Sequence, residues 1–475
     1  MRSQAVVACA ALIVSGASLW AQQPVREKVK RLAREYLETT DAAKRAELAR
    51  ELDAFDCDPE SVVLSLKPKP PAKFEAGYFE KQCFRTPELL AKYPDARLYY
   101  IVPEFYRPGK AIGLIVMMHG GGADPLDRTQ TAPARYLHPS PKGPGLGVPF
   151  RESGMITVAP CALFKEGNSS RWCRIDTDDY IRDVIAEFEN HYNIDPNRVA
   201  LAGYSMGGYG AFHQIQRQPD RFSVVLAGAG GWRLAWWPVI RGTPLWIVHG
   251  EKDANWPVRK MHTTDVAYAR LAHKILAEHG IDHEYREHPG GHDRKDAFQA
   301  LSEFIARMKD MKRDAYYPHV VNVSRRGWTS NDRFPAEHNR WLTILEDDKK
   351  AKLPYDSVKG VSPPKDQKMS DEERFRAWKA ELSKLERPGA VVEAVNRGKN
   401  RFEVTTQNIH RFALWLHPKM VDFAKPIRVT VNGKEVFNER VKPSISAALR
   451  SYERRRDWGL IYTAEIQLDA REQAK

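Results

Sequence analysis

The sequence has no long apolar segment after its first twenty residues. A helix needs about 18 or more consecutive apolar residues to cross a membrane, and no later run approaches that length. Cysteine is also scarce, with 5 in 475 residues, and no C-x-x-C pair occurs. We therefore expect neither a membrane span nor a zinc or redox site of the paired-cysteine type.

The sequence also lacks a recognisable nucleic-acid-binding motif. The formal net charge is +13, but the basic residues are spread along the chain, and the densest run is only 450–456. No helix-turn-helix, zinc-finger or base-stacking motif accompanies them. We interpret the charge as a solvated basic surface and expect no nucleic-acid partner.

The first 21 residues have the pattern of a secretory signal peptide. Met1-Arg2 gives a charged start, 5–20 is almost wholly apolar, and Ala21 precedes a polar stretch. We predict cleavage after Ala21 and a secreted or periplasmic protein. Export would permit disulfides among the four remaining cysteines, and free buried thiols are equally compatible with the sequence. These four are Cys57, Cys83, Cys161 and Cys173.

The chain is long enough for several domains. Residues 22–95 predict surface helices followed by a proline-rich connector, which offers no chemistry. Across 96–315, short apolar strands alternate with amphipathic helices, which predicts an α/β domain with a doubly wound, mostly parallel sheet. We place its first two strands, 98–102 and 113–118, side by side.

The pattern changes again after residue 315. Residues 316–385 are charged and interrupted by prolines, which indicates a linker or irregular segment. In 386–475, short alternating runs and the hairpin signal Asn432-Gly433 predict a small all-β domain, sandwich-like and antiparallel.

The strongest motif is NRVALAGYSMGGYGAF at 197–212. A short apolar strand leads into Gly203-Tyr204-Ser205-Met206-Gly207, which fits G-x-S-x-G, and a helix follows. This is the pattern of a nucleophile elbow, which lifts a serine above a sheet. The glycines are needed because a Cβ would clash where strand and helix nearly touch. The alternative is a glycine-rich turn with an ordinary serine.

A serine nucleophile needs a base and an acid, which follow it in chain order at strand ends. The strand at 244–248 leads into a loop that contains Asp253, and the strand at 283–287 leads into a loop that contains His292. We predict Asp253 as the acid and His292 as the base. Glu251 and His288 are the alternatives, and Pro-Gly-Gly between the two histidines argues against a helical metal pair.

Acyl transfer also requires N–H donors for the oxyanion. The residue after the nucleophile supplies one, here the backbone of Met206. The second is expected from His119-Gly120-Gly121-Gly122, which follows an apolar strand and matches the HGGG-type motif. We predict the backbone of Gly120 and Gly121 as donors.

With these motifs, residues from about 97 to 310 resemble the α/β-hydrolase superfamily, specifically secreted carboxylesterases of the polyhydroxybutyrate-depolymerase-like and feruloyl or acetylxylan esterase type. The resemblance implies a serine esterase with nucleophile Ser205, base His292 and acid Asp253, working through an acyl-enzyme without metal or cofactor. The same residues are similar to prolyl-oligopeptidase-like peptidases. Because roughly 95 residues precede this region in the sequence, we expect no propeller of the kind that those peptidases usually carry.

Several tryptophans fall on or beside loops that we expect around the serine. Trp172, Trp232 and Trp256 are predicted to rim the substrate site, where they would stack on a sugar or a phenolic acyl group. Partly buried core positions are the alternative. The expected substrate is a small-molecule or polysaccharide-linked ester. The rival interpretations are a serine peptidase and a non-catalytic polysaccharide-binding protein, and the oligomeric state stays open.

Overall fold

The computed structural model describes residues 23–121, 132–138, 146–163, 171–232, 234–253, 264–324, 338–354, 356–357, 364 and 368–471. The predicted signal peptide and Trp256 lie outside these residues. Within them, no helix combines the length and apolar character that a membrane crossing requires. Cys57, Cys83 and Cys161 are free thiols.

An eight-stranded sheet forms the centre of the molecule. The strands before residue 300 are β1 Gly77–Gln82, β2 Leu98–Val102, β3 Ile112–Met118, β4 Ile156–Pro160, β5 Ile194–Tyr204, β6 Val224–Gly228, β7 Leu234–Ala235, β8 Leu245–Gly250 and β9 His283–His288. All except the short β7 join the sheet, in the order β1-β2-β4-β3-β5-β6-β8-β9. From β4 to β9 the neighbours are parallel, whereas β1 and β2 are antiparallel additions at one edge.

Helices cover both faces of this sheet, as predicted. The α-helices of the described residues are α1 Gln23–Glu38, α2 Ala42–Asp53, α3 Pro59–Leu64, α4 Pro87–Lys92, α5 Ala134–Leu137, α6 Gly147–Glu152, α7 Ile175–His191, α8 Met206–Arg217, α9 Val266–Glu278, α10 Arg294–Arg307, α11 Asp371–Leu382 and α12 Ile445–Arg455. Successive side chains of a strand point to opposite faces. Leu114 and Val116 of β3 accordingly join the core under α7 and α8, and Ile115 and Met117 join the core under α6 and α10.

Two smaller sheets follow in the chain. The remaining strands of the described residues are β10 His319–Val323, β11 His338–Asn339, β12 Leu342–Asp347, β13 Lys352–Pro354, β14 Asp356–Ser357, β15 Glu386–Pro388, β16 Val391–Asn396, β17 Arg401–Gln407, β18 Ile409–Leu416, β19 Ile427–Val431, β20 Lys434–Glu439 and β21 Ala464–Asp469. Three of these lie outside the two sheets, since β13 pairs with β15 and β14 pairs with β7. One sheet has the order β10-β16-β17-β19-β20 and the other β11-β12-β18-β21. They share a core that contains Trp341, Phe402 and Trp415. The predicted hairpin at Asn432-Gly433 is confirmed, since it joins β19 to β20.

Three details of the structure differ from the predicted organisation. β2 does not lie beside β3, because β4 pairs between them. The segment 316–385, predicted as a linker or irregular segment, supplies β10 to β14 and α11. The C-terminal region is not all-β, since it contains α12, and β17 pairs with β19 in parallel. The helices α1 to α3 pack against α12 through Leu32, Leu52 and Leu449, so the two ends of the described chain share one core.

Candidate active site

Ser205 lies at the sharp turn between β5 and α8. Its φ of +58° and ψ of −117° are strained for a residue with a side chain, as expected at a nucleophile elbow. A Cβ on Gly203 would lie 2.0 Å from the carbonyl oxygen of Gly207, and one on Gly207 would lie 2.0 Å from that of Met118. The steric reason predicted for the glycines is therefore confirmed. The turn holds the serine at the carboxyl end of β5.

The structure brings Ser205, His292 and Asp253 together. Nε2 of His292 lies 2.9 Å from Oγ of Ser205, and Nδ1 lies 2.6 Å from Oδ2 of Asp253. Asp253 follows the end of β8, and His292 follows the end of β9. The next residue, Asp293, caps α10 by accepting from the N–H of Lys295, which fixes the chain just after the histidine. The carboxylate is buried, whereas the imidazole is 42% exposed and can meet a ligand.

The two alternatives occupy other positions. The Glu251 side chain is 45% exposed and faces Lys252. His288 is buried, and its Nδ1 accepts from the N–H of Gly290. In the described part of the chain, neither residue has a hydrogen bond to Ser205 or His292.

Sequence reasoning missed a second histidine beside the acid. Nε2 of the buried His249 lies 2.8 Å from the carbonyl oxygen of Thr264 and 3.2 Å from Oδ2 of Asp253. A carbonyl oxygen can only accept, so Nε2 carries the proton and donates. The hydroxyl of Thr264 donates to Oδ1 of Asp253 at 3.0 Å. The four-residue spacing in HGEKD was the available signal for this contact.

These contacts keep the acid ionised. Burial by itself raises the pKa of the Asp253 carboxyl, but hydrogen bonds from His249 and His292 outweigh it and hold the pKa below its usual range. An ionised carboxylate can orient the His292 ring and stabilise its protonated form. This is what a general base beside a serine requires.

The loop after β3 differs in one respect from the prediction. The N–H of Gly120 donates to the hydroxyl oxygen of Tyr136 at 2.8 Å, so it is already bonded and is not a free oxyanion donor. Sequence alone gave no sign of this, because Tyr136 comes from the separate helix α5. The N–H of Met206 is the first of α8 and has no carbonyl within the helix to bond.

His119 holds the peptide group that follows Gly120. Its Nε2 accepts from the N–H of Ala162 at 2.9 Å, so Nδ1 carries the proton and donates to the carbonyl oxygen of Gly120 at 2.9 Å. In a planar trans peptide the next N–H points opposite to the carbonyl. The N–H of Gly121 therefore points away from the His119 ring, which leaves it as the oxyanion candidate of this loop.

Two of the three tryptophans that were predicted to rim the substrate site are buried instead. Trp172 and Trp232 are buried in the core beneath the elbow, because each indole N–H finds a backbone acceptor inside the fold. Trp172 donates to the carbonyl of His119 at 2.9 Å and so supports the loop after β3. Trp232 donates to the carbonyl of Tyr268 at 3.0 Å. Trp256 lies outside the described residues.

Comparison with protein families finds a match for the central part of the chain. Residues 95–314 match the Esterase family, a span that contains Ser205, Asp253 and His292. Together with the helix-covered mixed sheet, this match fits an α/β-hydrolase. No curated protein matches the sequence.

Solved structures show weaker likenesses. A thermostable esterase is 22% identical with a TM-score of 0.36, over 50% of this chain and 63% of its own. An S-formylglutathione hydrolase from Staphylococcus aureus is 18% identical with a TM-score of 0.32, over 45% and 92%. A ferulic acid esterase is 19% identical with a TM-score of 0.33, over 45% and 92%. This chain thus spans less than two thirds of the thermostable esterase.

Proposed function

We propose that the protein, whose residues 95–314 match the Esterase family, is an exported serine esterase that works through Ser205, His292 and Asp253. The observation that carries the proposal is the hydrogen-bonded chain from Oγ of Ser205 through both nitrogens of His292 to Asp253. Such a chain activates a hydroxyl that is otherwise a poor nucleophile.

The proposed reaction has two halves. Oγ of Ser205 attacks the acyl carbon while Nε2 of His292 takes its proton, and Asp253 stabilises the resulting imidazolium. The imidazolium then protonates the leaving alcohol, which leaves an acyl group on the serine. Water, deprotonated by His292, releases the acid and restores Ser205.

The oxyanion formed in each half needs preorganised donors. The N–H of Met206 meets this need because it begins a helix beside the nucleophile. The N–H of Gly121 is the second candidate because His119 holds the preceding carbonyl on the other side of the peptide. Both are backbone groups fixed by the fold, so they cost no reorganisation during the reaction.

The substrate class we propose is a small-molecule or polysaccharide-linked carboxylic ester. The outward residues of β17 are polar or charged, namely Arg401, Glu403, Thr405 and Gln407. Such side chains do not form the aromatic platform on which sugars stack. This favours an enzyme over a polysaccharide-binding module, with the C-terminal sheets packed on the hydrolase domain.

The test is hydrolysis of short p-nitrophenyl esters. Ser205→Ala should lower kcat by about 10⁶-fold, to the small residual rate that substrate binding and the oxyanion donors still supply. Ser302→Ala, an exposed serine on α10, is the matched control and should keep full activity. Full activity in Ser205→Ala would overturn the proposal. Export is tested separately, since the secreted protein should begin at Gln22.

A further inference from the structure

The hydroxyl of Tyr136 has an unused proton. Its oxygen accepts from the N–H of Gly120 at 2.8 Å, and an N–H group can only donate. The Tyr136 O–H must therefore point elsewhere, and no other hydrogen bond of Tyr136 is made within the described residues. A buried hydroxyl proton without an acceptor is unfavourable, by about 1–3 kcal/mol. An acceptor that arrives with a substrate would remove this cost.

The hydroxyl also lies in the right place. The point where a Cβ of Gly120 would sit is 2.6 Å from the hydroxyl oxygen of Tyr136 and 3.0 Å from Cβ of Ser205. Tyr136 and the serine thus border the same small space. Only glycine at position 120 permits this approach, because any Cβ would collide with the tyrosine oxygen.

Further contacts hold the tyrosine ring in position. The guanidinium of Arg294 lies over the Tyr136 ring, 4.4 Å from its centre, and donates to the carbonyl of Arg135 at 2.7 Å. Arg294 begins α10, two residues after His292, so one segment fixes both the base and the tyrosine. Burial raises the pKa of the Tyr136 hydroxyl, which keeps it protonated at neutral pH.

We propose that the Tyr136 hydroxyl is a side-chain oxyanion donor, acting beside the backbone N–H groups of Met206 and Gly121. The Gly120 N–H then has an indirect role. By donating to the tyrosine oxygen it polarises the O–H, since linked hydrogen bonds strengthen one another. The inference rests on the proposed function, because it requires an oxyanion at the acyl carbonyl of a substrate attacked by Ser205. The tyrosine keeps its proton throughout.

The test is Tyr136→Phe, assayed with a p-nitrophenyl ester and with the matching thionoester, whose sulfur is a weak acceptor. For the oxygen ester we expect kcat/KM to fall about 100-fold with little change in KM, the usual effect of removing one oxyanion donor. For the thionoester, kcat/KM should fall much less. The ratio of the oxygen-ester rate to the thionoester rate should therefore be lower in the variant. A purely structural role would lower both rates alike.

Tyr99→Phe is the matched control. Tyr99 is buried in the same core as Tyr136, and its hydroxyl has no partner among the described residues. This variant should keep both rates and their ratio. If Tyr136→Phe behaves like Tyr99→Phe while Ser205→Ala is inactive, the tyrosine proposal is overturned and the proposed function stands. If Ser205→Ala is fully active, the proposed function itself fails.

A second variant keeps the test independent of folding. Replacing Tyr136 with a trifluorotyrosine preserves the shape and lowers the pKa of the phenol. The alkaline limb of the pH–activity profile should then shift to lower pH than in the unmodified enzyme, because the modified phenol loses its proton at a lower pH. An unchanged alkaline profile would contradict a donor role.

Discussion

Oδ2 of Asp253 lies 2.6 Å from Nδ1 of His292, although the two residues are separated by a strand and a helix in the chain. The contact forms because β8 and β9 are parallel neighbours whose carboxyl ends meet at one edge of the sheet. Position at a strand end, rather than distance in sequence, determines which carboxylate forms the hydrogen bond with the histidine.

Asp253→Asn is expected to lower kcat for p-nitrophenyl esters by about 10³–10⁴ at neutral pH, because an amide neither fixes the ring nor stabilises the imidazolium. Glu251→Gln is the control from the same loop and should keep near-normal activity. A strong loss in Glu251→Gln with an active Asp253→Asn would reverse the assignment of the acid.

The elbow glycines should tolerate no side chain. In Gly203→Ala the new Cβ would lie 2.0 Å from a backbone oxygen, which cannot move without separating strand from helix. We expect little folded protein, or a loss of more than about 3 kcal/mol in the free energy of unfolding. Gly109→Ala is the control, since its Cβ would meet nothing within 4 Å. Soluble yield and urea unfolding measure the difference, and equal stability of the two variants would contradict the steric account.

A buried ion pair joins the C-terminal region to the hydrolase domain. The guanidinium of Arg313 donates to both carboxylate oxygens of Asp457, at 2.6 and 2.9 Å, with both side chains buried. Asp457→Asn removes the carboxylate charge that both Arg313 and Arg221 contact, and it should cost about 3–5 kcal/mol in urea unfolding. Glu403→Gln, which breaks an exposed pair with Arg397, should cost less than about 1 kcal/mol. Similar losses of unfolding free energy in the two variants would show that burial does not determine how much the Arg313–Asp457 pair contributes to stability.

Glu189, near the same ion pair, predicts a pH dependence of stability. Burial, and then the charge of Asp457, raises the pKa of this carboxyl from 4.5 to about 7. The folded state therefore keeps a proton that the unfolded state releases between these values. The stabilisation is complete below pH 4.5 and is lost as the pH rises through 7, by a few kcal/mol in all.

Glu189→Gln removes this ionisation and leaves a neutral side chain at every pH. The variant should gain stability relative to the unmodified protein as the pH rises from 5 to 8, measured as the free energy of unfolding in urea. A difference between the two proteins that stays constant over this range would contradict the prediction.

Much of the site could be predicted because its residues follow local rules. G-x-S-x-G at a strand-to-helix turn located Ser205, and strand ends located Asp253 and His292, whose catalytic roles stay predictions. The order in which strands pair and the burial of individual side chains could not be predicted in the same way. The insertion of β4 between β2 and β3 depends on partners distant in sequence, and the burial of Trp172 depends on a carbonyl of His119. The Gly120 to Tyr136 bond joins two separate segments, so no local pattern announces it.

The central claim is that Ser205 is the activated nucleophile, and covalent labelling with a fluorophosphonate tests it most directly. Mass spectrometry of the labelled protein should show one adduct, located by peptide mapping on Ser205. The adduct should be absent in Ser205→Ala and form far more slowly in His292→Ala, while Ser302→Ala labels normally. An adduct on another residue, or none on a folded protein that hydrolyses esters, would contradict the account.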